Sequence, residues 1–143
     1  MTATAETLEL YTRGNADIRD LTPAVSAAVK NSQLQNGIVT VFCPGSTAAV
    51  TTIEYEDGAL ADLRRLLDEM APPDRDYAHN RRWGDGNGHS HVRAAVLGPS
   101  LTVPVVDGRL TLGTWQQIIL VDLDTHPRQR KVIIQLLGEG ASP

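Results

Sequence analysis

The strongest constraint on the fold lies in the last third of the chain. SLTVPVV is followed by Asp107–Gly108, then by RLTLGTWQQIILVDLD, and the chain closes with RQRKVIIQLLG. An Asp-Gly pair between two apolar, β-branched runs specifies a tight antiparallel hairpin, because the favoured two-residue turn needs a positive φ at both central positions. HVRAAVLG reads as a further strand leading into this region, and TLELYTR, GIVTVFCP and STAAVTTIEYE supply strands earlier in the chain. Pro104 inside TVPVV marks an edge or bulged strand, since proline donates nothing to a sheet ladder.

Two segments read as helices. In DLTPAVSAAVKNS, Thr22 suits an N-cap and Pro23 the first helical position, with Val25 and Val29 one turn apart and Asn36–Gly37 as the stop. In EDGALADLRRLLDEMAP, Leu60, Leu63, Leu67 and Met70 share a face, Glu56 and Asp57 favour the positive N-terminal end, and Pro72–Pro73 terminate the run. Residues 72–90 are polar and lack periodicity; a connection of that length is usually functional or disordered, and Trp83 within it favours order. The expectation is a single domain over residues 1–143 of α+β class, mainly antiparallel sheet or sandwich with two main helices.

Apolar residues at 41% are enough for a core without staples, and the single cysteine, Cys43, permits no internal disulfide. Cys43 lies in the apolar run TVFCP and reads as a small buried hydrophobe. A net charge of −4 argues against sequence-independent nucleic-acid binding. No apolar run is long enough to span a bilayer, and the N-terminus lacks signal-peptide character, so the expected location is cytoplasmic.

Chemistry concentrates in HNRRWGDGNGHSH, residues 79–91, which holds three of the four histidines. If a strand begins by Gly88, His89 and His91 point to one face, where two imidazoles can ligate an ion completed by His79 or a carboxylate. Imidazole with carboxylate suits zinc, nickel or iron(II) better than magnesium. Asp85 and Asn87 can orient a ligand or a histidine. The same stretch also reads as a solvated, glycine-rich turn. Glu54, at the end of VTTI, reads as a metal ligand or general base, or as an exposed strand end. Trp115 suits a core, an interface or a site wall, with Gln116 beside it as a substrate hydrogen-bonder. Arg128 and Arg130 alternate toward one face and can grip phosphate, or serve as strand-end charges or a subunit salt bridge. His126 reads as a solvated turn residue.

VFCPGSTAAVTTIEYEDG, the spaced His79, Asp85, Asn87 and His91, and above all LGPSLTVPVVDGRLTLGTWQQIILVDLD with PRQRKVIIQLLG resemble the YjbQ family over nearly the whole chain. The resemblance implies a small sheet-rich α+β fold and a homotrimer. It also implies a polar site near the subunit boundary, built from the histidine-bearing loop and the strand with Glu54. It implies possible thiamine-phosphate synthase activity, in which a divalent metal and Arg128 stabilise the departing pyrophosphate. Many members carry a histidine where this chain has Gly45, and Asn-Glu where it has Ile53–Glu54. The first change points toward altered activity or a binding role. Two further expectations stand beside it: a metal-dependent hydrolase of a small phosphorylated or acylated molecule, and a non-catalytic trimeric ligand- or metal-binding module.

Overall fold

The computed structural model describes residues 1–140. Among the described residues, eight strands form two antiparallel sheets, with four helices. The larger sheet takes the order β1 (Thr2–Thr12), β8 (Arg128–Gly140), β3 (Leu34–Phe42), β5 (Ser100–Val106), β6 (Arg109–Leu110). The smaller takes the order β2 (Asp17–Asp20), β7 (Gln117–Asp122), β4 (Ala48–Ile53). The helices are α1 (Thr22–Ser32), α2 (Asp57–Met70), α3 (Ala78–Trp83) and α4 (Gly88–Leu97). None among the described residues is long and apolar enough to cross a membrane.

Strand β7 explains why its sequence runs IILVD rather than alternating. Ile118 and Leu120 face a core shared with Val39 and Val41 of β3, Val132 and Ile134 of β8, and Val25 and Val29 of α1. Ile119 and Val121 face a second core with Leu60 and Leu67 of α2 and Ala94 of α4. A strand covered on both faces is apolar throughout, because no side chain has a solvent side to reach. The larger sheet, α1 and one face of the smaller sheet therefore enclose one core, and α2 and α4 cover the opposite face of the smaller sheet.

The expected hairpin forms: Val106 pairs with Arg109, and Asp107 and Gly108 have φ of 51° and 76°. The run after it is not one strand. β6 ends at Leu110, residues 111–116 break away, and β7 joins the other sheet. Pro104 lies without a bulge in β5, whose outer side pairs with the two residues of β6 and receives the Thr111 N–H and hydroxyl at the Pro104 carbonyl. Thr22 begins α1 with Leu21 at the N-cap and Pro23 in the first turn, and the Thr22 hydroxyl accepts from the Ile118 N–H at 2.8 Å instead of capping the helix. Helix α1 ends at Ser32 with Gln33 left-handed (φ 59°), so Asn36–Gly37 lies inside β3, beside a register shift against β8. A Cβ on Gly37 would come within 2.2 Å of the Leu137 carbonyl oxygen, so glycine serves close strand approach there rather than a helix stop. Helix α2 is capped by Glu56, whose carboxylate accepts from the Gly58 and Ala59 N–H groups at 2.7 Å each.

HVRAAVLG is helical, and residues 78–83 add a short helix to the polar stretch. The buried face of α4 carries His89, Ser90, Arg93 and Ala94, while Val92 and Val96 are exposed. Polar groups face inward and valines outward, so hydrophobic spacing points to the wrong element.

Candidate functional site

Helices α3 and α4 bring the histidines together. Gly88 packs where a Cβ would sit 2.5 Å from the Tyr77 side chain, and the Gly88 N–H donates to Asn80 Oδ1 at 2.8 Å. This close approach stacks His79 against His91, with ring centroids 4.4 Å apart and planes tilted by 44°. The connecting turn presents Asp85, whose Oδ1 accepts from the Asn87 N–H at 3.1 Å and lies 3.2 Å from His79 Nδ1. That approach lacks hydrogen-bond geometry, so His79 Nδ1 is buried with no hydrogen-bond partner among the described residues. One ligand atom from each of His79, Asp85 and His91 lies within 4.8 Å of the others. Two imidazoles and a carboxylate at that separation could hold a divalent transition ion.

His89 does not join this group. On a helix, residues two apart point to nearly opposite sides, and His89 is buried with its Nδ1 unpartnered and its ring 6.3 Å from Tyr77. Burial, followed by the charge of Arg93, pushes its pKa below the usual imidazole range. Trp83 is exposed at the end of α3, outside the core, with the Arg82 guanidinium 5.4 Å from its ring centroid. Glu54 is exposed just past β4 and lies outside the histidine cluster. Gln116 is also elsewhere: it receives the Gly113 N–H at 3.0 Å, contacts Thr52 Oγ1 at 3.3 Å, and lines hollows beside α1 and β5. Trp115 is 73% exposed, which excludes the core role within this chain.

Asn87 is held at both ends of its side-chain amide. Its Nδ2 donates to Asp124 at 3.3 Å, and its Oδ1 accepts from Ser90 Oγ at 2.8 Å and the Thr125 N–H at 3.1 Å. It therefore locks the first turn of α4, three residues into which His91 sits, and acts through position rather than as a ligand. Behind it lies a buried ionic network that sequence reasoning missed. Asp124 accepts from Thr47 Oγ1 at 2.9 Å, the His126 N–H at 2.9 Å and Arg128 Nε at 3.0 Å. Arg130 grips Asp122 with Nε at 2.7 Å and Nη2 at 3.0 Å, and Nη2 also reaches Thr47 Oγ1 at 2.7 Å. Thr12 Oγ1 completes the shell of Asp122. Arg130 is thus a buried intrachain partner, neither a strand-end charge nor a subunit bridge. Arg128 stays half-exposed on Asp124. The available signal was the alternation VDLD: carboxylates within a buried run require partners, and RQR two turns of chain later supplies them.

Burial would raise the pKa of Asp124, but the hydrogen bonds from the His126 N–H, Thr47, Arg128 and Asn87 outweigh it and hold the carboxyl well below the ordinary range. A depressed folded pKa gives stability that is present above the unfolded value and lost as pH falls toward the folded one. The stability gap between wild type and Asp124→Asn is expected to be constant from about pH 7 to 5 and to shrink below about pH 4. Urea melts at each pH would measure it; a gap that widens on acidification contradicts the network.

The matched family is described as UPF0047 protein YjbQ-like, and its profile covers residues 6–139. A UPF0047 protein of Methanothermobacter thermautotrophicus is 39% identical over 132 residues, spanning 92% of this chain and 90% of its own length. One from Mycobacterium tuberculosis H37Rv is 41% identical over 115 residues, spanning 80% and 84%. Among solved structures, a YbjQ-like protein from Sulfolobus solfataricus superposes with a TM-score of 0.87 at 34% identity, covering 96% of this chain and 100% of its own. A hypothetical protein from Aeropyrum pernix gives 0.89 at 34%, covering 95% and 99%. With the family model matched over residues 6–139 and relatives of this identity covered over most of their length, the chain belongs to the YjbQ-like UPF0047 family.

Proposed function

We propose that this protein is a metal-dependent hydrolase of a small phosphorylated or acylated molecule, with its ion held by His79, Asp85 and His91. The observation that carries the reading is the convergence of three ligand atoms within 4.8 Å. Three protein ligands leave a coordination position open, the arrangement of catalytic rather than structural zinc. A zinc-class ion there would supply a water acidic enough to act near neutral pH. The chain's own contribution is positional: Asn87 fixes the start of α4, and α3 holds His79 against it. A cavity of about 210 Å³ beside His91, lined also by Gly45, Ser46 and Ala48, gives a small substrate room next to the ion.

A second reading, thiamine-phosphate synthase, is favoured by the half-exposed Arg128, a cation suited to a departing pyrophosphate. It asks for Mg²⁺, for which imidazoles are poor ligands. The proposal includes self-assembly as a homotrimer in a reducing, cytoplasmic setting. Exposed Tyr11, Trp83 and Trp115 and the buried free Cys43 support those two parts.

The test is elemental analysis of tag-free protein, followed by a phosphoester and acyl-ester panel. About one zinc-class ion per chain is expected, with turnover abolished by chelator and restored by Zn²⁺ or Mn²⁺. Coupling of the pyrimidine pyrophosphate to the thiazole phosphate with Mg²⁺ alone would select the second reading. A bound ion without turnover would leave a metal-binding module, and no ion at all would end the metal reading.

A further inference from the structure

Helix α1 packs beside β6, but the chain leaves the sheet after Leu110, so that contact is incomplete. Two adjoining hollows result, of about 340 and 680 Å³, which share Val29, Gly108 and Arg109. Together they form one cleft between α1 and the Asp107–Gly108 hairpin, lined by none of His79, Asp85 and His91. The smaller hollow has an apolar floor: Val29 is buried, while Leu110 and Leu112 pack against the core and are only partly covered. The larger is polar and carries Lys30 on the helix side and Asp107 and Arg109 on the hairpin side. Lys30 and Arg109 are exposed, and neither joins an ion pair among the described residues. The charge of Lys30 suits the negative end of α1, but that role asks for no second cation on the hairpin. Two cations and one carboxylate line the cleft of a chain with 17 acidic and 13 basic residues, so the cleft reverses the sign of the whole.

We propose that this cleft binds a small organic anion, with its apolar body on Leu110 and Leu112 and its phosphate or carboxylate head held by Arg109 and Lys30. An apolar body there removes partly covered leucine surface from water. An anionic head gives two cations the partner they lack, and the arginine fork suits the paired oxygens of either head group. Asp107 keeps the excess at one positive charge, so tight binding needs both halves of the ligand. A bare anion lacks the apolar contact, and a neutral body lacks the head. Both hollows fall within the roughly 300–1,000 Å³ of small-molecule sites. The cleft is separate from the histidine cluster, so its ligand binds with or without a metal ion.

The experiment is titration of phenyl phosphate, and separately of benzoate, into the full chain freed of metal with EDTA and dialysed, at fixed ionic strength, followed by NMR shifts. Inorganic phosphate tests the head alone and benzyl alcohol the body alone. Three variants accompany wild type, each at an exposed position and each matched to it by circular dichroism. Arg109→Gln removes the guanidinium. Ser26→Phe fills the smaller hollow from α1, and Ala27→Phe places the same ring on α1 outside the cleft. Saturable binding of at least one aromatic anion is expected, with shifts at the Val29, Leu110 and Leu112 methyls. Inorganic phosphate and benzyl alcohol are expected to bind about tenfold more weakly or worse. Affinity for the aromatic anion is expected to fall about tenfold or more in Arg109→Gln and Ser26→Phe and to hold in Ala27→Phe. Tighter phenyl phosphate assigns the head as phosphate, and tighter benzoate assigns it as carboxylate. No saturable binding of either aromatic anion overturns the proposal. So does an unchanged affinity in Arg109→Gln, or an equal loss in Ser26→Phe and Ala27→Phe.

Discussion

Asp122→Ala is expected to lower folding stability by about 3–5 kcal/mol, the cost of leaving one member of a buried ion pair uncompensated. Asp122 is fully buried and accepts from Arg130 Nε at 2.7 Å, Arg130 Nη2 at 3.0 Å and the Asp124 N–H at 3.1 Å, with Thr12 Oγ1 as a further donor. Removing the carboxylate strands a guanidinium with nowhere to go, because β8 fixes Arg130 beneath β7. The same logic makes the pair strongly non-additive: Asp122→Leu combined with Arg130→Met is expected to cost well below the sum of the two single changes. Urea denaturation of the four proteins measures both effects. A single-mutant loss below about 1 kcal/mol would show that water reaches the pair and that the network is not a buried one.

His91→Ala is expected to weaken Zn²⁺ binding by more than about a hundredfold, while Asn87→Ala weakens it by about 10–100-fold. The ranking follows from roles. His91 supplies an atom of the cluster, whereas Asn87 only holds the first turn of α4 through Asp124, Ser90 and Thr125. Competition against a chromophoric chelator, on variants whose circular dichroism matches wild type, gives both numbers. His89→Ala provides the contrast: His89 lies outside the cluster, so its loss is expected to reach stability rather than the ion. Equal loss of zinc affinity in His89→Ala and His91→Ala would sink the assignment of ligands.

Local rules read correctly wherever neighbours in sequence are also partners in space. The Asp107–Gly108 turn, the Glu56 cap and the face of Leu60, Leu63 and Leu67 follow from contacts within a few residues, although Met70, expected on that face, is exposed. They failed where distant chain supplies the environment. Thr22 looks like a cap but serves Ile118, ninety-six residues away. Arg130 looks like a surface cation but neutralises Asp122. His89 and His91 look like a strand pair, yet α4 turns them to different sides, and its inward Arg93 is held at the end of α2, donating to the Ala71 carbonyl and to Asp68, each at 2.9 Å.

The amino-acid order alone therefore determined the class of the fold, its hairpin and the segment that bears the candidate chemistry, because periodicity and turn residues act over a few bonds. The choice of His79, Asp85 and His91 over His89 and Glu54 belongs to the tertiary structure. So does the pairing of Asp122 and Asp124 with Arg130 and Arg128. A buried polar group is stable only with partners, and which partners reach it is set by how two sheets and four helices close on one another.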